Sequence, residues 1–243
     1  MKALIKVEWI QIWRQWSVFV LAIGMPVGFF LLYSGMQMAP TPEEQKLFVR
    51  NYMLTMTAFS MSSFGFFSFP FMLVEDRTSH WFSYIEHSSV PVYYYYLSKI
   101  FRVFIYFLCS ITVTFLVGKF YRQVSMPVEK WLVSILLLLI ASVVFLAFGL
   151  LIAQIKSQQL MSIVGNLAFL GLAVLGGSWM PISLFPDWMQ SISKVTPTYH
   201  VNQLVEIYAQ KSQINWTSLL IVLGYAIIIA GLALFIKNKT EVK

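Results

Sequence analysis

Six apolar runs, near residues 17–38, 51–74, 101–118, 131–153, 160–178 and 216–236, leave this chain few ways to fold. A helix needs about 20 apolar residues to cross a bilayer, and in lipid each backbone N–H and C=O must be satisfied within the segment. The runs therefore predict an all-α integral membrane protein with six transmembrane helices. Composition agrees: 58% of the 243 residues are hydrophobic and 11% are charged, against about a quarter charged in a soluble domain. No Gly/Ser-rich linker and no internal repeat divides the sequence, so residues 1–243 read as one transmembrane domain.

The formal charge is +7, yet lysines and arginines are scattered among the short segments between runs. That distribution fits membrane lipids and excludes a gathered nucleic-acid surface. With both termini cytoplasmic, the inner segments hold ten lysines and arginines, Lys2, Lys6, Arg14, Arg77, Lys99, Arg102, Lys156, Lys237, Lys239 and Lys243, and the outer ones hold seven, Lys119, Arg122 and Lys130 among them, a modest bias. The inner excess sets this orientation as the expected one, in a cell membrane taken as the bacterial cytoplasmic membrane. Cys109 is the one cysteine, so no intrachain disulfide forms.

The opening "MKALIKVEWIQIWRQWS" lacks the small-residue cleavage site of a signal sequence. At 100° per residue, Ile5, Trp9, Ile12 and Trp16 share one face and Glu8, Gln11 and Gln15 the opposite one. This predicts an amphipathic interfacial helix over residues 1–16, lying in the headgroup layer. Between spans five and six, residues 179–215 carry Pro181, Pro186 and Pro197 as breaks. Asp187 is expected to cap a short helix with Trp188, Ile192 and Val195 at helical spacing. A second helix after Pro197 repeats the pattern with Val201, Leu204, Val205 and Tyr208. Both pieces are too short to span, so re-entrant outer helices are expected.

Several chemistries are absent. There is no phosphate-cradling G-x-x-x-x-G-K-[ST] loop: Gly118-Lys119 is followed by Phe120. Glu86-His87 lacks the second histidine of a zinc hydrolase, and Glu43-Glu44 has Phe48 where an intramembrane protease would need arginine. The stretch "EDRTSHWFSYIEH" at 75–87 holds Asp76, His80 and His87. If helical throughout, it would place them on one face as a possible metal-ligand set; a solvated or partner-contacting helix is the plainer reading, with no metal. Within span two, Thr55, Ala58, Ser62 and Gly65 form a strip of small residues, read as helix packing, a cargo path or a dimer face.

The ordered set of features resembles the permease subunits of ABC-2 type ABC transporters across essentially the whole chain. In "LVEDRTSHWFSYIEHSSVPVYYYYLSK" Glu75, Arg77, Pro91 and Lys99 match the family pattern, although Thr78-Ser79-His80-Trp81 stands where a Gly-Thr pair is frequent. In "LGGSWMPISLFPDWMQSISKVTPTYH" Gly177, Pro181, Pro186, Trp188 and Pro197 match. The resemblance implies that residues 75–92 form a cytoplasmic coupling loop. Its short helix would seat in a separate soluble ABC ATPase through Glu75, Asp76, Arg77, His80, Trp81, Phe82, Tyr84 and Glu86. It also implies two ATPase copies carrying ATP and Mg, a permease homodimer or a similar second permease, and no cofactor or catalytic residue on this chain. Export of a small amphipathic cargo such as a drug, antimicrobial peptide or lipid is the expected activity. Two alternatives stand beside it. One is an intramembrane metal-dependent enzyme using Asp76, His80 and His87. The other is an ATPase-independent immunity or sensor protein that binds peptides through Trp179, Trp188 and Tyr199.

Overall fold

The computed structural model describes residues 2–241. Met1, where the interfacial helix was expected to begin, and Lys243, counted among the inner charges, lie outside the described residues. The described chain is all-helical: α1 (Lys2–Arg14), α2 (Ser17–Gly35), α3 (Pro42–Ser63), α4 (Phe69–Thr78), α5 (Trp81–Glu86), α6 (Val92–Phe120), α7 (Val128–Ala141), α8 (Val143–Ile152), α9 (Gln158–Leu175), α10 (Asp187–Ser193), α11 (Pro197–Lys211) and α12 (Trp216–Glu241). Among the described residues, six helical stretches are long and apolar enough to cross a membrane: 17–35, 42–78, 92–120, 128–152, 158–175 and 216–239.

These spans coincide with the apolar runs, but several helices outrun them. Span two starts at Pro42, because Thr41 caps it: its hydroxyl accepts from Glu44 N at 3.3 Å and donates to the Glu44 carboxylate at 2.9 Å. A π-helical turn, Phe64–Ser68, joins α3 to α4. Pro70 follows it and has no N–H to continue the α ladder, while Phe69 N bonds back to Phe64 O in the i→i+5 manner. Ser142, donating to Leu139 O at 2.7 Å, separates α7 from α8 inside span four.

Span two is the centre of the molecule, with 78% of its apolar window buried, whereas α2 and α9 are each 22% buried over theirs. It packs against α2, α6, α8 and α11, and α12 runs along α8. Close approach at the π turn depends on glycine. A Cβ on Gly65 would lie 2.6 Å from Phe145 Cβ, and one on Gly149 would collide with the Gly65 carbonyl.

The segment between spans five and six folds into a 3-10 turn at Ile182–Leu184, then α10 and α11. Pro186, not Asp187, occupies the N-cap of α10, with Asp187 in the first turn, where its charge still faces the helix N-terminus. Thr196 caps α11 and Pro197 opens it. Val201, Leu204, Val205 and Tyr208 are all buried, as their spacing requires, against neighbours on α12, α7 and α3. Trp188 and Ile192 are exposed on α10, and Val195 is exposed just beyond its end.

Candidate functional site

α1, α5 and the last turns of α12 lie at one end of the helix bundle. There α1 is held to α6 by a buried ion network. Lys99 Nζ sits 2.8 Å from Glu8 Oε1 and 2.6 Å from Asp76 Oδ2. Arg102 Nη1 lies 3.2 Å from Glu8 Oε2, its Nη2 donates to Gln15 Oε1 at 2.6 Å, and its Nε donates to Tyr106 Oη at 2.7 Å. Lys99 and Arg102 are three residues apart on α6, so their side chains leave the same face. Two cations buried there need two carboxylates, and α1 and α4 each supply one.

This requirement corrects the expected orientation of α1. Leu4, Glu8 and Ile12 face the protein, and Trp9, Trp13 and Trp16 are exposed. Of the two faces read from the sequence, the polar one turns Glu8 inward to neutralise α6 and the apolar one is divided, Ile12 inward and Trp9 outward, while the outward indoles suit a lipid interface.

The stretch 75–87 is not one helix. α4 ends at Thr78, and His80 adopts the left-handed conformation (φ 61°) before α5 begins. The turn removes the common face proposed for Asp76, His80 and His87: Asp76 is paired with Lys99, and His87 Nδ1 lies 2.8 Å from Ser83 O. No group of three or more potential ligands is gathered among the described residues, so the metal-enzyme alternative loses its geometry.

The eight residues expected at an ATPase joint divide in two. Asp76 faces Lys99, Arg77 Nη1 donates to Ala153 O at 2.8 Å at the end of α8, and Phe82 is buried between Tyr95 and Tyr96. These three are committed within the chain. Glu75, His80, Tyr84 and Glu86 are exposed, and half-buried Trp81 stacks on Tyr84 with ring centroids 5.7 Å apart. Lys237 of α12 lies over the Phe82 ring at 5.4 Å, closing the back of α5.

The strip Thr55, Ala58, Ser62 and Gly65 is buried inside the single chain, so it offers no surface to a second copy. Gly65 meets α8, and Thr55 Oγ1 donates to Glu206 of α11 at 2.8 Å. The open space lies one position round the helix. A cavity of about 550 Å³ between α2, span two and α9 is lined by Phe59, Ser63, Phe67 and Phe169, with Gln15 and Glu75 also on its wall. Its walls are mainly apolar. In the segment expected to be re-entrant, Pro181 precedes the 3-10 turn, Pro186 precedes α10, exposed Trp188 lies on α10 and buried Pro197 opens α11. Trp179 packs edge-on to Phe59 and is half-buried.

Sequence reasoning had Glu8 and Arg102 only as a polar-face residue and a topological charge. Charged residues entering an apolar run on one helix face, Lys99 and Arg102, were the available signal for a buried network; nothing local names their partners.

Residues 30–235 match the family described as ABC-2 family transporter protein. A Bacillus subtilis (strain 168) protein with the name "Putative transport permease YvfS" is 27% identical over 217 residues, which cover 89% of this chain and 88% of that protein. With six apolar helices, an α5 braced by buried charge and a family match over most of its length, the chain belongs to the ABC-2 family of transporter proteins.

Proposed function

We propose that this permease is an exporter subunit driven by a separate ABC ATPase, which grips the exposed face of α5. The observation that carries this reading is the mounting of α5. Its outer face presents His80, Tyr84 and Glu86 to solvent, while its inner face is locked by Phe82, Ile85 and the adjoining Asp76–Lys99–Glu8–Arg102 network. A charged and aromatic outer face on a rigid support suits a joint that must transmit displacement. Both termini would then be cytoplasmic. Two ATPase subunits, holding ATP and Mg, would close on two permeases arranged as a homodimer or with a similar partner.

The cavity beside α2, span two and α9 is the cargo path in this reading. Aromatic walls with Gln15, Ser63 and Glu75 at separate points fit a small amphipathic molecule, with its apolar body on the rings and its polar group on those side chains.

Affinity purification of the tagged chain from its native membrane tests the joint. A soluble ATPase should co-purify with the wild type and be lost with the Tyr84→Ala/Glu86→Lys variant, whose side chains make no internal ion pair. A folded variant that keeps the same ATPase refutes the α5 face as the joint. A chain that purifies alone, even after mild crosslinking, refutes the ATPase-driven reading.

A further inference from the structure

At the end of the bundle opposite α5, a second cavity of about 390 Å³ lies between the start of span two, the 3-10 turn and α11. Its floor is unusual for buried protein. Asn202 is 4% exposed, and its Nδ2 donates to Gly176 O at 2.9 Å. A backbone carbonyl can only accept, so the amide orientation is fixed: the atom facing Gly176 must be the NH2 group. That leaves Asn202 Oδ1, a buried oxygen that lacks a partner, on a residue lining the cavity. Asn51 adds a second buried amide oxygen without a partner. Glu206, on the same wall, has its Oε1 engaged by Thr55.

Buried polar atoms are nearly always satisfied, because leaving one unmade forfeits the hydrogen bonds it had in water. Two unmade acceptors beside a carboxylate, in a space many times larger than one water, point to a ligand that donates hydrogen bonds. The rim supplies the rest of the recognition. Phe48 and Tyr52 line the cavity and stack on each other, with ring centroids 5.4 Å apart and planes inclined by 13°. Such rings accept apolar area and also attract a cation.

The opposing charges are Lys194, exposed at the end of α10, and Arg50, whose charge acts on Glu206 from α3. Lys194 is screened by solvent. Arg50 lines the neighbouring cavity with Glu43 and Arg122.

We propose that this cavity binds an amphipathic molecule through a protonated amine, the amine donating to Asn202, Asn51 and Glu206 and the apolar body lying on Phe48 and Tyr52. The site is independent of the ATPase joint: binding needs neither ATP nor a partner, and its failure leaves the α5 reading untouched.

Three water-soluble probes of one shape separate the possibilities: benzylammonium, benzyl alcohol and benzoate. They are titrated against the full chain in lipid nanodiscs at pH 8 and followed by saturation-transfer NMR. A charge-assisted hydrogen bond contributes about 1.5–3 kcal/mol, so benzylammonium should bind about tenfold or more tighter than benzoate. Glu206→Gln keeps an acceptor for Thr55 and should weaken benzylammonium about tenfold while leaving benzyl alcohol nearly unchanged. Asn51→Ala removes an acceptor that has no internal partner, and should weaken benzylammonium about threefold with no loss of folding. The proposal is overturned if benzoate binds as tightly as benzylammonium, if neither variant alters benzylammonium binding, or if no probe saturates.

Discussion

Glu8→Gln is the sharpest test of the buried network, because the charges there balance and the substitution unbalances them without changing shape. Glu8, Lys99 and Arg102 side chains are 3%, 5% and 3% exposed, and Asp76 is 15% exposed. Two carboxylates face two cations. Removing one carboxylate leaves a surplus positive charge in a site that water barely reaches, for which the usual cost is about 3–5 kcal/mol. Glutamine still offers an oxygen to Arg102, so the lower figure, about 3 kcal/mol, is expected. Lys99→Met unbalances the site in the opposite sense and should cost a similar amount. The double variant leaves Asp76 and Arg102, which is neutral again. It should be less destabilised than the sum of the single variants by about 2 kcal/mol. Equilibrium unfolding in mixed micelles, with rising denaturing detergent, measures all four chains. The argument fails if Glu8→Gln costs less than about 1 kcal/mol, or if the two changes add to within about 0.5 kcal/mol.

Three further outcomes follow from particular contacts. Gly149→Leu should destabilise by about 1–3 kcal/mol or more, because any Cβ there meets the Gly65 carbonyl, whereas Gly165→Ala, with its nearest neighbour 3.4 Å away, should be milder; thermal unfolding ranks them. Phe82→Ala should cost about 3–5 kcal/mol by emptying the space against Tyr95, while Tyr84→Ala should leave thermal stability unchanged and act only on ATPase capture. Burial pushes the Glu206 carboxyl from an ordinary 4.5 up to about 7, against the pull of Thr55 and Arg50. Between those values the native chain holds a proton that the unfolded chain has lost, so this contribution is full below pH 4.5 and is lost as pH rises to about 7. Comparison of unfolding at pH 5 and pH 8 should show up to about 3 kcal/mol of such loss in the wild type and none of it in Glu206→Gln.

The spans were legible because their signal is local: a run of apolar residues needs no partner to be read. The start of span two was also written locally, in Thr41-Pro42-Glu43-Glu44, a cap residue followed by proline and first-turn acids, but weighing hydropathy alone placed it late. The fates of Glu8 and the small-residue strip were not legible. Each depends on a side chain far away in sequence: Lys99 and Arg102 draw Glu8 inward, and Phe145 with Glu206 cover the strip. The metal triad failed for a backbone reason. Its spacing assumed an unbroken helix, and His80 breaks it with a left-handed residue that no periodicity reveals.

The same long-range contacts say where a push on α5 would be felt. Arg77 ties α4 to the end of α8, Asp76 and Glu8 tie it through Lys99 to α6 and α1, and Phe82 beds α5 on the tyrosines of α6 beneath Lys237 of α12. Five helices around α5 would therefore share the load. Helices α2 and α9, with most of their surfaces unburied, share no such ion pair or side-chain hydrogen bond with α4 or α5 among the described residues. Relative motion should fall between these two groups, and the cavity beside α2 and α9 lies on that boundary. One wall of it, Phe67 and Ser68, belongs to the π turn, the one place where the regular α ladder of span two is already interrupted. A bend there would move that wall while leaving the strip packed on α8, so the cargo path is expected along Phe59, Ser63 and Phe67 and not along Thr55, Ala58, Ser62 and Gly65.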